Sequence, residues 1–222
     1  FFPFSNRLRR KLAHMRSLCR AGAILCMSLY LAVAGGGVGR ASTLDLLGAG
    51  WNKPQVTVAI KDSERQPRQM VLDIEAAVND WNDVLADIDD APVLTWADDV
   101  RKADAAIIIR SGDRYPLGQT LTRTVGQSGC VLRSALIQLN AEALGRKMSG
   151  AGMRSVARHE LGHALGLRHS DDPSDLMYPF FDYGELRSDQ DIIISDYDRE
   201  GIAAIYPVQQ HCPVPDFLFW DE

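Results

Sequence analysis

Residues 158–179 read RHELGHALGLRHSDDPSDLMYP, and three of the chain's five histidines, His159, His163 and His169, fall inside this run. His159 and His163 are four apart, so on a helix their imidazoles share one face and can grip one metal ion. Glu160 lies between them and could reach a water on that metal. Taken alone, H-E-x-x-H also arises as a satisfied surface pair. Here Gly166 follows three residues after His163, where a residue free to take positive φ lets a helix stop abruptly. His169 comes three later, placed for the chain to turn back with a third nitrogen. Three imidazoles leave one position of a tetrahedral ion open, which is the catalytic rather than the structural arrangement. Neutral imidazoles plus water favour zinc over copper or iron.

Working outward, SGAG (Ser149 to Gly152) reads as a break, and the helix carrying the histidines should run from about Met153 to Leu165. Upstream, QVTVAI (Gln55 to Ile60) alternates as a half-buried strand. PRQMVLDIEAAVNDWNDVLADI (Pro67 to Ile88) spaces Val71, Ile74, Ala77, Val78, Trp81 and Leu85 as an amphipathic helix opened by a proline. PVLTWADD (92–99) and DAAIIIRS (104–111) read as strands, the second a continuous apolar run and therefore central. QTLTRTVG (119–126) alternates like an exposed edge strand, and VLRSALIQLN (131–140) is a further strand. SDYDREGIAAIY (195–206) opens a last helix, with Ser195 and Asp198 in capping-box positions. The order β-α-β-β-β-β-α, an irregular stretch and a final helix predicts a single α+β domain, a sheet backed by helices.

The N-terminus has a different character. RLRRKLAHMRSLCR (7–20) is basic, AGAILCMSLYLAVAGGGVG (21–39) is uncharged and mostly apolar, and Gly39 and Ala41 form a small-x-small site. That is the pattern of a secretory signal peptide over residues 1–41, with a retained membrane anchor as the other reading. The expected product is a single domain, 42–222, exported to the extracellular space or periplasm, with 208–222 as its tail. Residues 1–41 hold seven basic and no acidic residues, so 17 basic residues then face 29 acidic ones, a net of −12. Such a surface excludes nucleic acid as a partner, and a membrane enters only if the first segment is retained. Of four cysteines, Cys130 and Cys212 remain; an even pair in an exported domain suggests one disulfide, with two separate thiols as the alternative.

HELGHALGLRHS (159–170) resembles the extended zinc-binding motif of the metzincin metallopeptidases. The Ser after the third His is similar to the matrixin branch, the matrix-metalloproteinase family. Met177, eight residues beyond His169 in LMYP, resembles that family's Met-turn. The resemblance covers 153–181 at the level of motifs and about 54–207 in element order. It implies a twisted, mostly parallel sheet with an antiparallel edge strand, an active-site helix and a C-terminal helix. It implies one catalytic zinc on His159, His163 and His169, Glu160 as general base and then general acid, and Met177 as an apolar floor. Substrate, a protein or peptide, would lie along the edge strand from Thr120 to Thr124, with Thr122 at its centre. Pro179, Phe180 and Phe181 stand where matrixins carry P-x-Y, which walls the pocket for the residue after the cut. Phe181 keeps the apolar wall and lacks the hydroxyl of the usual Tyr. The simpler alternative is that Phe180 and Phe181 fill core.

The pattern is also broken. Animal matrixins hold a second, structural zinc on upstream histidines, yet no histidine occurs between His14 and His159, and Arg123 stands near one missing ligand. One zinc is expected. Asp87, Asp89, Asp90 and the acidic run 171–175 could bind calcium or could simply be a solvated face. About twelve residues separate the expected cleavage site from the first strand, which leaves no room for the family's inhibitory domain. HCPVPD (211–216) echoes its cysteine-switch motif, and a Cys212 thiolate could occupy the open zinc position if it were not in the disulfide. The expected activity is that of a monomeric zinc endopeptidase. A catalytically silent zinc- or peptide-binding scaffold and a zinc amidase on a non-protein amide remain the alternatives.

Overall fold

A computed structural model describes residues 46–112, 116–126, 129–206 and 208; the expected signal peptide and the tail carrying His211 and Cys212 lie outside the described residues. Strand β1 (Gln55–Ile60) leads into helix α1 (Arg68–Leu85), followed by β2 (Val93–Trp96), β3 (Ala105–Arg110), β4 (Gly118–Val125) and β5 (Val131–Asn140). A short hairpin, β6 (Glu142–Ala143) with β7 (Arg146–Lys147), precedes helix α2 (Gly150–Leu165), and helix α3 (Asp196–Ile205) closes the order. The five long strands form one sheet in the order β2-β1-β3-β5-β4. All pairs are parallel except β4 with β5, so β3 is central and β4 is an antiparallel edge. This is the matrixin-type α+β arrangement that the motif implies. No helix among the described residues is long and apolar enough to cross a membrane.

Alternation builds the sheet: Val56 and Val58 of β1 and Ile137 and Leu139 of β5 are almost wholly buried. Helix α1 buries Ile74, Ala77, Val78, Trp81, Val84 and Leu85, and packs against α2. Its Pro67 occupies the cap position rather than the first turn. Asp73, at the N-terminal end of that face, is buried as well. The region read as a break, Ser149 to Gly152, is instead the start of α2. The Ser149 hydroxyl accepts the Gly152 N–H at 2.9 Å, so it caps the helix and the small residues form its first turn. The capping box at Ser195 and Asp198 is present on α3.

Two indoles set the height of α2 against its neighbours. The Trp81 N–H donates to the Arg158 carbonyl at 2.8 Å and the Trp51 N–H to the Ala164 carbonyl at 2.9 Å. Buried indole N–H groups need such partners, and each carbonyl belongs to a residue next to a histidine of the motif.

Candidate active site

Helix α2 buries nearly its whole surface in its last three turns, Val156 to Leu165, and ends at Gly166, whose φ of 112° lies in the left-handed region. A Cβ there would also run into the Ala49 carbonyl. The reversed chain returns His169 to the helix. The three imidazoles then meet, with ring centroids 4.7 to 5.4 Å apart, and one nitrogen from each lies within 4.8 Å of the others. Among the described residues this is the group of His, Cys, Asp or Glu side chains that could hold a metal ion. Asp87, Asp89, Asp90 and the 171–175 run form no such group. Asp172 instead accepts from the backbone and hydroxyl of Ser174, and Asp175 from Ser170.

The outer nitrogens fix the chemistry of the inner ones. His159 Nδ1 lies 2.8 Å from the Leu176 carbonyl, and His163 Nδ1 lies 2.8 Å from the Leu167 carbonyl. A carbonyl only accepts, so both Nδ1 atoms carry the proton and both Nε2 atoms present lone pairs. Burial pushes His159 down to about 3, helped by the neighbouring His163, and burial likewise pushes His163 down to about 4. Both are therefore neutral at pH 7. His163 Nε2 then stands 3.2 Å from His169 Nε2. Two nitrogens bound to one tetrahedral zinc are about 3.3 Å apart. The donor set, its tautomers and its spacing thus fit zinc.

Glu160 points away from this cluster's outer partners and towards β4. Its Oε2 accepts the Thr120 hydroxyl at 2.7 Å, and its side chain occupies the space a Cβ on Gly118 would need. Burial raises its carboxyl to about 7, against the opposing hydrogen bond from Thr120. Gly118 is absent from the sequence-based site, and Thr120 enters it only as the start of the substrate strand, not as the partner of Glu160. Thr122, which is in it, sits two residues along on the same half-buried face of β4. Strand periodicity identifies that face, but only the crossing of β4 over α2 shows which of its residues meets Glu160.

Met177 lies directly under the helix, 1% exposed, and a Cβ on Gly162 would strike its sulfur. Its carbonyl accepts the Ser170 N–H at 2.9 Å, which ties the turn to the residue after His169. Beyond it Pro179 is half-buried, the Phe181 ring stands 5.3 Å from the His159 ring, and Phe180 is 74% exposed. Phe181 packs partly on the core, whereas Phe180 fills none of it. Both line a cavity of about 520 Å³ between the Met177 turn and residues 190–196. Cys130 is disulfide-bonded; Cys212, its expected partner, lies outside the described residues.

The Matrixin family model matches residues 50–207. The chain belongs to the matrixin family. Macrophage metalloelastase of Oryctolagus cuniculus is 29% identical over 172 residues, which is 74% of this chain and 35% of that protein. Human matrix metalloproteinase-20 is 43% identical over 67 residues, 30% of this chain and 13% of its own length. Human matrix metalloproteinase-16 is 48% identical over 60 residues, 27% of this chain and 9% of its own. This matrixin therefore spans about a third of the metalloelastase it resembles. Matrixins are zinc metalloendopeptidases, and this chain carries a histidine cluster that could hold the family's zinc.

Proposed function

We propose that this matrixin is an exported zinc-dependent endopeptidase, with His159, His163 and His169 as zinc ligands and Glu160 as the group that moves the proton. The observation that carries the reading is the pairing of three converging imidazoles, two of them held neutral by burial, with a buried carboxyl raised to about 7. Bound zinc supplies Lewis acidity, which activates water and polarises the scissile carbonyl. Glu160 takes the water's proton and hands it to the leaving amine; a carboxyl poised near neutral pH suits both transfers. The Thr120 hydroxyl holds the Glu160 carboxylate in place while it carries the charge. Met177 and Trp81 hold the helix from which these groups project.

Protein or peptide substrate fits the outer edge of β4. That strand ends the sheet order, pairing with β5 on one side, and it shows Leu121 and Val125 to solvent. An extended peptide can add there as another strand. This edge, unpaired among the described residues, favours an endopeptidase over an amidase with an enclosed pocket. The cavity beside Phe181, rimmed by the exposed apolar Phe180 and Ile193, favours a bulky apolar residue just after the cut. Export rests on the basic and apolar runs of residues 7–39.

The test is peptide-library cleavage by the zinc-loaded chain, wild type beside Glu160→Ala. Cleavage before bulky apolar residues that is abolished by chelator, and reduced about 10²- to 10⁴-fold by the substitution, is the expected result. Zinc bound at one equivalent with no cleavage by wild type would move the silent scaffold ahead.

A further inference from the structure

Five charged side chains form an alternating chain behind the histidines. Asp73 and Asp80 come from α1, Arg154 and Arg158 from α2, and Asp191 from the segment between Met177 and α3. Arg154 Nη1 lies 2.7 Å from Asp73 and its Nη2 2.8 Å from Asp191, with a second contact from Nε at 3.1 Å. Arg158, only 8% exposed, reaches Asp80 at 2.6 Å and Asp191 at 3.2 Å, and donates to the Ile192 carbonyl at 3.0 Å. The Ile192 N–H in turn donates to the Ser155 hydroxyl at 3.0 Å. Burial opposes the charge on Asp191, and Arg154 and Arg158 outweigh it, holding the carboxyl below the usual range. Residues 191–192 are thus held by a forked ion pair, a second arginine and both of Ile192's backbone groups.

What these bonds hold is one wall of the cavity. Asp191, Ile192 and Ile193 line it on one side, and Phe181, which touches the His159 ring, lines it on the other. The segment's apolar packing is confined to Ile192 and Ile194, while Ile193 is 69% exposed. Asp191, which precedes them, is held by the polar anchors. Arg158 immediately precedes His159, so the same turn of α2 presents the metal-binding nitrogen and fixes the facing wall.

We propose that Asp191, gripped by Arg154 and Arg158, is a positioning residue that sets how sharply this site discriminates between bulky and small side chains after the scissile bond. The inference rests on the peptidase reading. A wall tied at Asp191 keeps the cavity open and shaped, so a bulky residue gains its burial without reordering the segment first. A loosened wall makes that residue order the segment as it binds, which a small residue never needs to do.

The experiment uses the full zinc-loaded chain, wild type and Asp191→Asn, with two readouts. Amide hydrogen exchange over residues 189–194 should quicken about tenfold or more in the variant, while α1 and the core strands stay protected. The ratio of kcat/KM for two peptides differing only in leucine or alanine after the cut should fall about tenfold, through a raised KM for the leucine peptide. Arg154→Lys, which keeps the charge and loses the fork, should move both readouts the same way by less. If exchange in 189–194 is unchanged, the anchoring is overturned. If exchange quickens and the leucine-to-alanine ratio stays within twofold, or both peptides lose equally, Asp191 is only a structural staple. A wild type that cuts neither peptide overturns the peptidase reading itself and the selectivity claim with it, an outcome plainly different from cleavage with unaltered selectivity.

Discussion

Along one side of the cleft, from His159 to Met177, the hydrogen bonds of the imidazoles and of the Met177 turn join residues 4 to 17 positions apart. His163 reaches Leu167, His159 reaches Leu176, and Ser170 meets Met177. Along the facing segment, Leu186 to Ile192, the anchors come from residues 33 to 39 positions away on α2, and behind those from Asp73 and Asp80 on α1. The first wall is a short loop closed on itself around a buried methionine. The second buries Leu186 in the core and is tied at Asp191 and Ile192 by charged side chains from α2. The difference divides the labour: the first wall sets the three imidazoles against one another, while the second is set by anchors that do not touch them.

The comparison breaks first at Met177. Met177→Ala removes a fully buried side chain wedged under Gly162 and Trp81, and should cost about 2–5 kcal/mol in urea unfolding. A loss below about 1 kcal/mol would mean that the first wall does not depend on its floor. Glu160 sharpens the contrast in a second way. Its folded pKa of about 7 is raised by burial, so its favourable protonated form is fully present below the unfolded value and lost as pH rises through 7. Metal-free Glu160→Gln should therefore be more stable than metal-free wild type by roughly 2–3 kcal/mol at pH 8, with little difference at pH 5. Equal midpoints at both pH values would show that the carboxyl is not under desolvation stress.

The same division decides what could be read from the sequence. Spacing within 158–179 placed the helix, its stop at Gly166 and the return of His169, because each depends on neighbours within one or two turns. Alternation placed β1 and the edge strand β4, and a continuous apolar run marked β3 as central. SGAG misled because Gly152 has a distant cause: the Leu186 backbone crosses so close that a side chain would not fit. Gly118 gave no signal and Thr120 was read only as part of the substrate strand, since their place beside Glu160 comes from β4 crossing α2. Asp73 looked like an ordinary helix residue because its partner, Arg154, is 81 residues away. The β6–β7 hairpin was missed because its turn puts Leu144 at φ 51° before Gly145 at φ 67°. That is a type I′ geometry in which Asn or Asp is the usual first residue.

The smallest effect on stability belongs to the residue given the largest effect on selectivity. Asp191 is about a third exposed, and its arginines keep other partners, Asp73 and Asp80, when its charge is removed. Asp191→Asn should therefore shift the unfolding free energy by no more than about 1 kcal/mol, the range of partly exposed ion pairs. The shift should shrink further in molar salt, where screening already weakens the pair. Set beside Met177→Ala, this variant separates the walls: one substitution lowers the stability of the whole domain, the other changes the freedom of one segment. A loss for Asp191→Asn as large as that for Met177→Ala would show that the second wall belongs to the same cooperative unit as the first. The wall facing the histidines would then be part of the core's own packing, and charge would no longer explain how it is held.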